Sequence, residues 1–166
     1  MRKIFLVVIA LVVVSVVSAQ SPLEIGKLQL NAGFGFSSWG LPIYGGIDYG
    51  VMDDITVGAE GSFRAYNDNI LGTKYTHTVL GVAANGNYHF NSLLDIPSER
   101  DFYAGLNVGF YIWNSSGNYP GNHASGLGLG AQVGGRYFFS NNFGLNLELG
   151  GGSATSGGKF GITYIL

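Results

Sequence analysis

The chain contains no cysteine and only four prolines, and charged residues make up just 11% of its 166 positions. Without cysteine there is no disulfide framework, and any stability must come from packing and backbone pairing. A charged fraction well under the roughly 25% of ordinary soluble domains argues against a water-solvated surface. The formal net charge of −2 offers no basic footprint for nucleic acid. Three histidines, His77, His89 and His123, share no ligand spacing and have no thiol to join them, so no metal site and no cofactor are expected. Glycine patterns such as the one over residues 126–130 lack the spacing and strand–helix context of nucleotide-binding loops.

What is abundant is glycine, with 28 residues, more than double its usual share of about 7%. Phe and Tyr together number 21. Glycine-rich, charge-poor chains are often disordered, but the many aromatic and β-branched residues here exclude that for the body of the chain.

The N-terminus reads as a processing signal. Arg2 and Lys3 form a positive start, residues 4–17 are nearly all apolar, and Val17, Ser18 and Ala19 are small residues suited to cleavage. The 14 apolar residues fall short of the ~20 needed for a spanning helix. Residues 1–19 are therefore expected to be a signal peptide and residues 20–166 one domain. Loss of Arg2 and Lys3 takes the formal charge from −2 to −4.

From Lys27 onward apolar residues alternate with Gly, amides and charges. Phe143, Leu145, Leu147 and Leu149 take one parity; Gly144, Asn146, Glu148 and Gly150 take the other. Period two is the signature of a strand, whose successive side chains point to opposite faces. Turn signals divide the alternation into eight runs, at 27–36, 42–51, 55–66, 74–90, 102–113, 125–139, 143–152 and 158–166. Connections at 52–54 and 140–142 read as tight turns, and those at 37–41, 67–73, 114–124 and 153–157 as longer loops. Short turns belong on the periplasmic side of outer-membrane barrels and longer loops outside. Residues 91–101 are the exception, a longer periplasmic connection with a short helical turn expected near 93–96.

The face that is wet is decided by the charges. Asp48, Glu60, Arg64, Arg136, Glu148 and Lys159 lie within strands, and in each case the neighbouring apolar residues take the opposite parity. A cation facing lipid at mid-depth costs ~2–4 kcal/mol, so the charged side is assigned to the lumen. Most strand glycines share that side, among them Gly105, Gly109, Gly128, Gly130, Gly134, Gly144, Gly150 and Gly161. An eight-stranded barrel has an interior only just wide enough for side chains, so small residues beside Tyr103, Asn107, Gln132 and Arg136 predict a packed core. The six charges are expected to form a lumenal ion-pair network, with Arg136 and Glu148 paired across a tight hairpin. Such a network either holds the barrel shut or acts as a gate that re-pairs to pass ions. Aromatics cluster toward both strand ends (Phe34, Phe36, Trp39, Tyr66, Tyr75, Tyr111, Trp113 and Phe160 at one; Tyr49, Tyr88, Phe90, Phe102, Tyr103, Tyr137, Phe139, Phe143 and Tyr164 at the other). They are expected to form interfacial girdles.

The stretch from Tyr88 through Leu93, Leu94 and Pro97 to Asp101, followed by Phe102, Tyr103, Ala104 and Gly105, resembles small Bacteroidetes-type outer-membrane β-barrel proteins. These are related in architecture to the OmpA transmembrane domain and to OmpX. The terminal residues Gly161 to Leu166 resemble that family's last strand, which implies recognition by the outer-membrane assembly machinery. The expected fold is all-β, an eight-stranded up-and-down antiparallel transmembrane barrel. It would sit as a monomer in the outer membrane of a Gram-negative bacterium, in contact with the lipid bilayer and lipopolysaccharide.

The leading functional expectation is a non-enzymatic barrel contributing to envelope integrity or surface interaction. A narrow porin-like channel for ions or small solutes is the alternative. An adhesin or receptor would act through residues 114–124, and a soluble lipocalin-like carrier is a fourth class. Small barrels that remove acyl chains from lipid A use a His-x-Ser pair, which His123 and Ser125 resemble. The one downstream Glu, Glu148, takes the opposite parity, so no acid completes that triad.

Overall fold

The computed structural model describes residues 23–37, 40–70, 72–117, 119–121, 125–153 and 156–166. The expected signal peptide lies outside these residues. Eight strands follow in order: β1 (Leu28–Phe36), β2 (Ile43–Met52), β3 (Ile55–Ile70), β4 (Thr73–His89), β5 (Arg100–Ser115), β6 (Gly126–Phe138), β7 (Phe143–Gly152) and β8 (Gly157–Ile165). A one-turn helix, α1 (Asn91–Leu94), joins β4 to β5. Each strand pairs antiparallel with its sequence neighbours, and β8 pairs back onto β1. Closure removes every sheet edge, so the ladder satisfies backbone polar groups that lipid cannot. Among the described residues no helix is long and apolar enough to cross a membrane; the strands make the crossing.

The alternation resolves into an inside-out molecule. Along β5, Phe102, Leu106, Val108, Phe110 and Ile112 are 44–70% exposed. Asp101 and Tyr103, on the other parity, are 0% and 2% exposed. Across the described residues, fifteen polar or charged side chains are buried against five apolar or aromatic ones. A lipocalin-like carrier needs the opposite arrangement, because its interior is apolar and its wall meets water. The outer wall here is a lipid surface.

The outward aromatics form the girdles. Phe34, Phe36 and Phe160 lie toward the loop end, and Tyr49, Tyr88, Phe102, Tyr137, Phe139, Phe143 and Tyr164 toward the turn end, all at least 40% exposed. Edge-to-face pairs, Tyr88 on Phe90 and Tyr137 on Phe139, each with centroids 5.3 Å apart, extend that inner band. Tyr66, Tyr75, Tyr103, Tyr111 and Trp113 depart from the girdle expectation and face inward. Each shares the parity of its strand's polar set: Glu60 and Arg64 for Tyr66, His77 for Tyr75, Asp101 and Asn107 for the other three. Trp39 lies outside the described residues.

The expected loop at 67–73 is mostly ladder. Asn67 pairs with Thr76, Asp68 with Tyr75, Asn69 with Lys74 and Ile70 with Thr73, leaving a tight turn in which Gly72 has φ 83°. Outside the apolar layer both strand faces meet water, so the apolar alternation fades while pairing continues. At 16 residues β3 is about 50 Å long, far more than a ~25 Å apolar band requires even when tilted. The hairpin stands out on the loop side. At the other end, Asp54 at φ 60° turns β2 into β3. The β4–β5 connection is held by Asn91, whose Nδ2 donates to the Arg100 carbonyl at 2.6 Å. Asp95 closes α1 in the left-handed region, its N–H returning to the Asn91 carbonyl.

Leu106, 70% exposed on the wall, provides a test. Leu106→Arg is expected to lower unfolding free energy in lipid vesicles by about 2–4 kcal/mol, read by urea titration of tryptophan fluorescence. A cost near zero would mean this wall meets water.

Candidate functional site

The lumen is crossed by a chain of hydrogen bonds near the turn end. Arg136 on β6 lies directly opposite Asp101 on β5 in the ladder. Its Nη1 donates to Asp101 Oδ2 at 3.0 Å, and its Nη2 reaches Asp48 Oδ2 at 2.6 Å. Asp48 is on β2, four strands away and so on the facing wall. With its amide turned so that the oxygen faces the guanidinium, Gln29 accepts from Arg136 Nε at 3.0 Å, and the guanidinium carbon sits 4.5 Å from the centre of the Tyr103 ring. The Arg136 side chain is 2% exposed, that of Asp48 4% and that of Asp101 0%.

Both ends of this bridge continue. Asp101 Oδ1 accepts from His89 Nδ1 at 2.7 Å. A carboxylate only accepts, so Nδ1 carries a proton, and the other ring nitrogen, Nε2, lies 3.0 Å from Thr56 Oγ1. On the other side Asn31 donates to Asp48 at 2.9 Å and accepts from Thr163 Oγ1 at 2.9 Å. The chain from Thr56 to Thr163 thus draws on seven of the eight strands.

A second layer lies toward the loops. Lys159 Nζ holds Glu60 and Glu148 at 2.6 Å each, and Glu148 is its direct cross-strand neighbour. Tyr103 donates to Glu148 at 2.8 Å, linking the two layers. Beside it runs an amide ladder: Asn107 donates to Gln132 and Gln132 to Asn87, both at 2.7 Å. A cavity of about 20 Å³, room for one water, lies between the two charged layers. A larger one of about 100 Å³ occupies the loop half of the lumen.

Glycines make the layers fit. Tyr103 is paired with Gly134, Asp48 with Gly58, and Asn87 with Gly105. In each case a Cβ on the glycine would collide with the larger side chain opposite.

Of the six charges singled out in the sequence, all point inward, but their ion pairs fall into two separate groups, with Arg64 in neither. The expected Arg136–Glu148 pair is absent, because the β6–β7 register sets Arg136 opposite Asn146 and Glu148 opposite Gly134. Arg136 finds its partner across the lumen instead, and Glu148 turns to Lys159. Arg64 donates only to Ser37 Oγ, at 3.2 Å. Sequence reasoning misses Asp101, which it places in the connection, and His89, which it weighs only as a metal ligand. Parity would have found both. Asp101 is in phase with Tyr103 and Asn107, and His89 with Asn85 and Asn87.

Thr56, His89 and Asp101 have the hydroxyl–imidazole–carboxylate order of a nucleophilic triad. With exposures of 1%, 0% and 0%, they leave no approach for a substrate and act as a clamp between three strands. At the acyl-hydrolase candidate, Ser125 Oγ accepts from the Trp113 N–H at 2.9 Å, and His123 lies outside the described residues. His77, at the loop end, is stacked on Tyr66 with centroids 4.8 Å apart and bonds Ser115 at 2.7 Å.

The chain matches no protein-family model and no curated protein. Its fold is shared with solved small outer-membrane barrels. OprG from Pseudomonas aeruginosa superposes with a TM-score of 0.67 at 13% identity, over 87% of this chain and 97% of that one. Neisserial surface protein A gives 0.55 at 13% identity, over 84% and 94%. Ail of Yersinia pestis, in a phospholipid bilayer nanodisc, gives 0.54 at 12% identity, over 85% and 99%. The chain therefore has the architecture of eight-stranded outer-membrane β-barrels.

Arg136→Met leaves Asp48 and Asp101 as buried carboxylates without a cation, a loss of about 3–5 kcal/mol. Lys159→Met is expected to cost less, because Lys159, Glu60 and Glu148 are 25%, 22% and 11% exposed and can be rehydrated. Urea unfolding in vesicles compares the two; equal losses would contradict this ranking.

Proposed function

We propose that the chain is a non-enzymatic integral protein of a Gram-negative outer membrane whose barrel is closed to solutes and serves envelope integrity or surface interaction. One observation carries this reading. Arg136 ties β6 to β2 across the lumen and to β5 beside it, with all three side chains at most 4% exposed. A water-filled channel passing that level would wet the groups lining it. The apolar wall supports contact with lipid and lipopolysaccharide, and a barrel closed within one chain, with no strand edge left to pair with a second copy, supports a monomer. The alternating terminal strand β8, ending near the exposed Leu166, suits recognition by the assembly machinery.

A narrow ion channel is the second reading. It is favoured by the two polar cavities stacked above Arg136 and requires that Arg136 exchange Asp48 for another acceptor. Planar-bilayer recording separates the two. The reconstituted protein is expected to hold baseline current. Sustained unitary openings that change in Arg136→Ala, with folding checked by heat-shifted gel mobility, would establish the channel instead.

A further inference from the structure

Among the described residues, Arg64 is the one lumenal cation left without a counter-ion. It is 5% exposed, and its single hydrogen bond goes to a hydroxyl, Ser37 Oγ. None of the described carboxylates lies within 4 Å of it, and the undescribed residues contain no Asp or Glu. Glu60 and Asp68 flank it on the same face of β3, each four residues and about 13 Å away along the strand. Glu60 is already bound to Lys159. A guanidinium has five N–H donors, and removing one from water without an anion costs several kcal/mol.

Its surroundings are built to hold something. Arg64 lines the cavity of about 100 Å³ in the loop half of the lumen, together with Ser62, Asn85, Asn107 and Tyr111. Gly81 leaves room for two of these side chains: a Cβ there would come within 2.7 Å of Ser62 Oγ and 2.8 Å of the Tyr111 ring. The cavity is large enough for several waters or one small ion. Lys159 in its floor is shared by Glu60 and Glu148, which leaves that end of the cavity with a surplus negative charge and sets its positive end at Arg64.

We infer that this cavity is a binding site for a small oxyanion from the external medium, with Arg64 as the forked donor and Ser62 and the asparagine amides completing the shell. Planar or tetrahedral oxyanions match the guanidinium fork, which offers two parallel N–H donors. A lipid headgroup is excluded as the source, because the barrel wall separates the cavity from the bilayer.

The test uses the full barrel in phosphate-free maltoside micelles at constant ionic strength, titrated with inorganic phosphate. Calorimetry gives the affinity, and the Arg64 Nε–H resonance reports the place. Saturable binding with a shift at Arg64 and none at Arg136 is expected, weakened by about tenfold or more in Arg64→Gln. Arg64→Lys keeps the charge but loses the fork, and is expected to lie between the two, which covers the case in which Arg64→Gln does not fold. Absence of saturable binding, or affinity unchanged in either folded variant, would overturn the site. Neither result depends on whether the barrel conducts.

Discussion

A guanidinium that reaches a carboxylate on the facing wall imposes a constraint on the whole barrel. Arg136 can be buried only if its nitrogens find acceptors, and all three do: Asp48, Asp101 and Gln29 accept from them. Two carboxylates around one cation then need further donors of their own. Those come from His89 and Asn31, which recruit Thr56 and Thr163 in turn. The cost of desolvating one ion pair thus propagates into a belt that fixes the positions of seven strands. Breaking it at one point leaves the rest unsatisfied.

The same constraint accounts for the glycines. A closed ring of eight strands has a small fixed radius, so a lumen full of Tyr, Arg, Gln and Asn must have little else in it. Several of these bulky groups sit against a glycine on the adjacent strand, as Tyr103 does on Gly134 and Asp48 on Gly58. Glycine ordinarily weakens a strand. Here the ladder holds the backbone, and the missing side chain is the room a neighbour needs.

Fold and face were legible in the sequence because both depend on period two, which survives without knowledge of any partner. Strand-body charges on one parity located the lumen for the same reason. Pairing across the lumen was not legible. Adjacent strands suggest local partners, and Arg136 with Glu148 is the natural local choice. The actual Asp48 partner lies 88 residues away, brought opposite by closure alone. Asp101 was hidden differently: the strand begins before its apolar alternation does, at Arg100, since the membrane-facing parity only becomes apolar at Phe102. The extension of β3 to Ile70 was hidden by the same effect at the other interface.

The lumen is therefore polarised along its axis, and the polarisation follows from where the counter-ions are. In the two layers below Arg64, anions outnumber cations: Asp48 and Asp101 share Arg136 near the turn end, and Glu60 and Glu148 share Lys159 above them. Toward the loops, Arg64 stands alone above an open cavity. A barrel needing only internal glue would place that arginine beside one of the surplus carboxylates, where the pairing would be mutual. Arg64 and Glu60 are four positions apart, about 13 Å along the strand, and Glu60 is taken by Lys159. The closed half and the open half thus answer different physical demands: one satisfies itself, and the other is complete only when the medium contributes a negative charge.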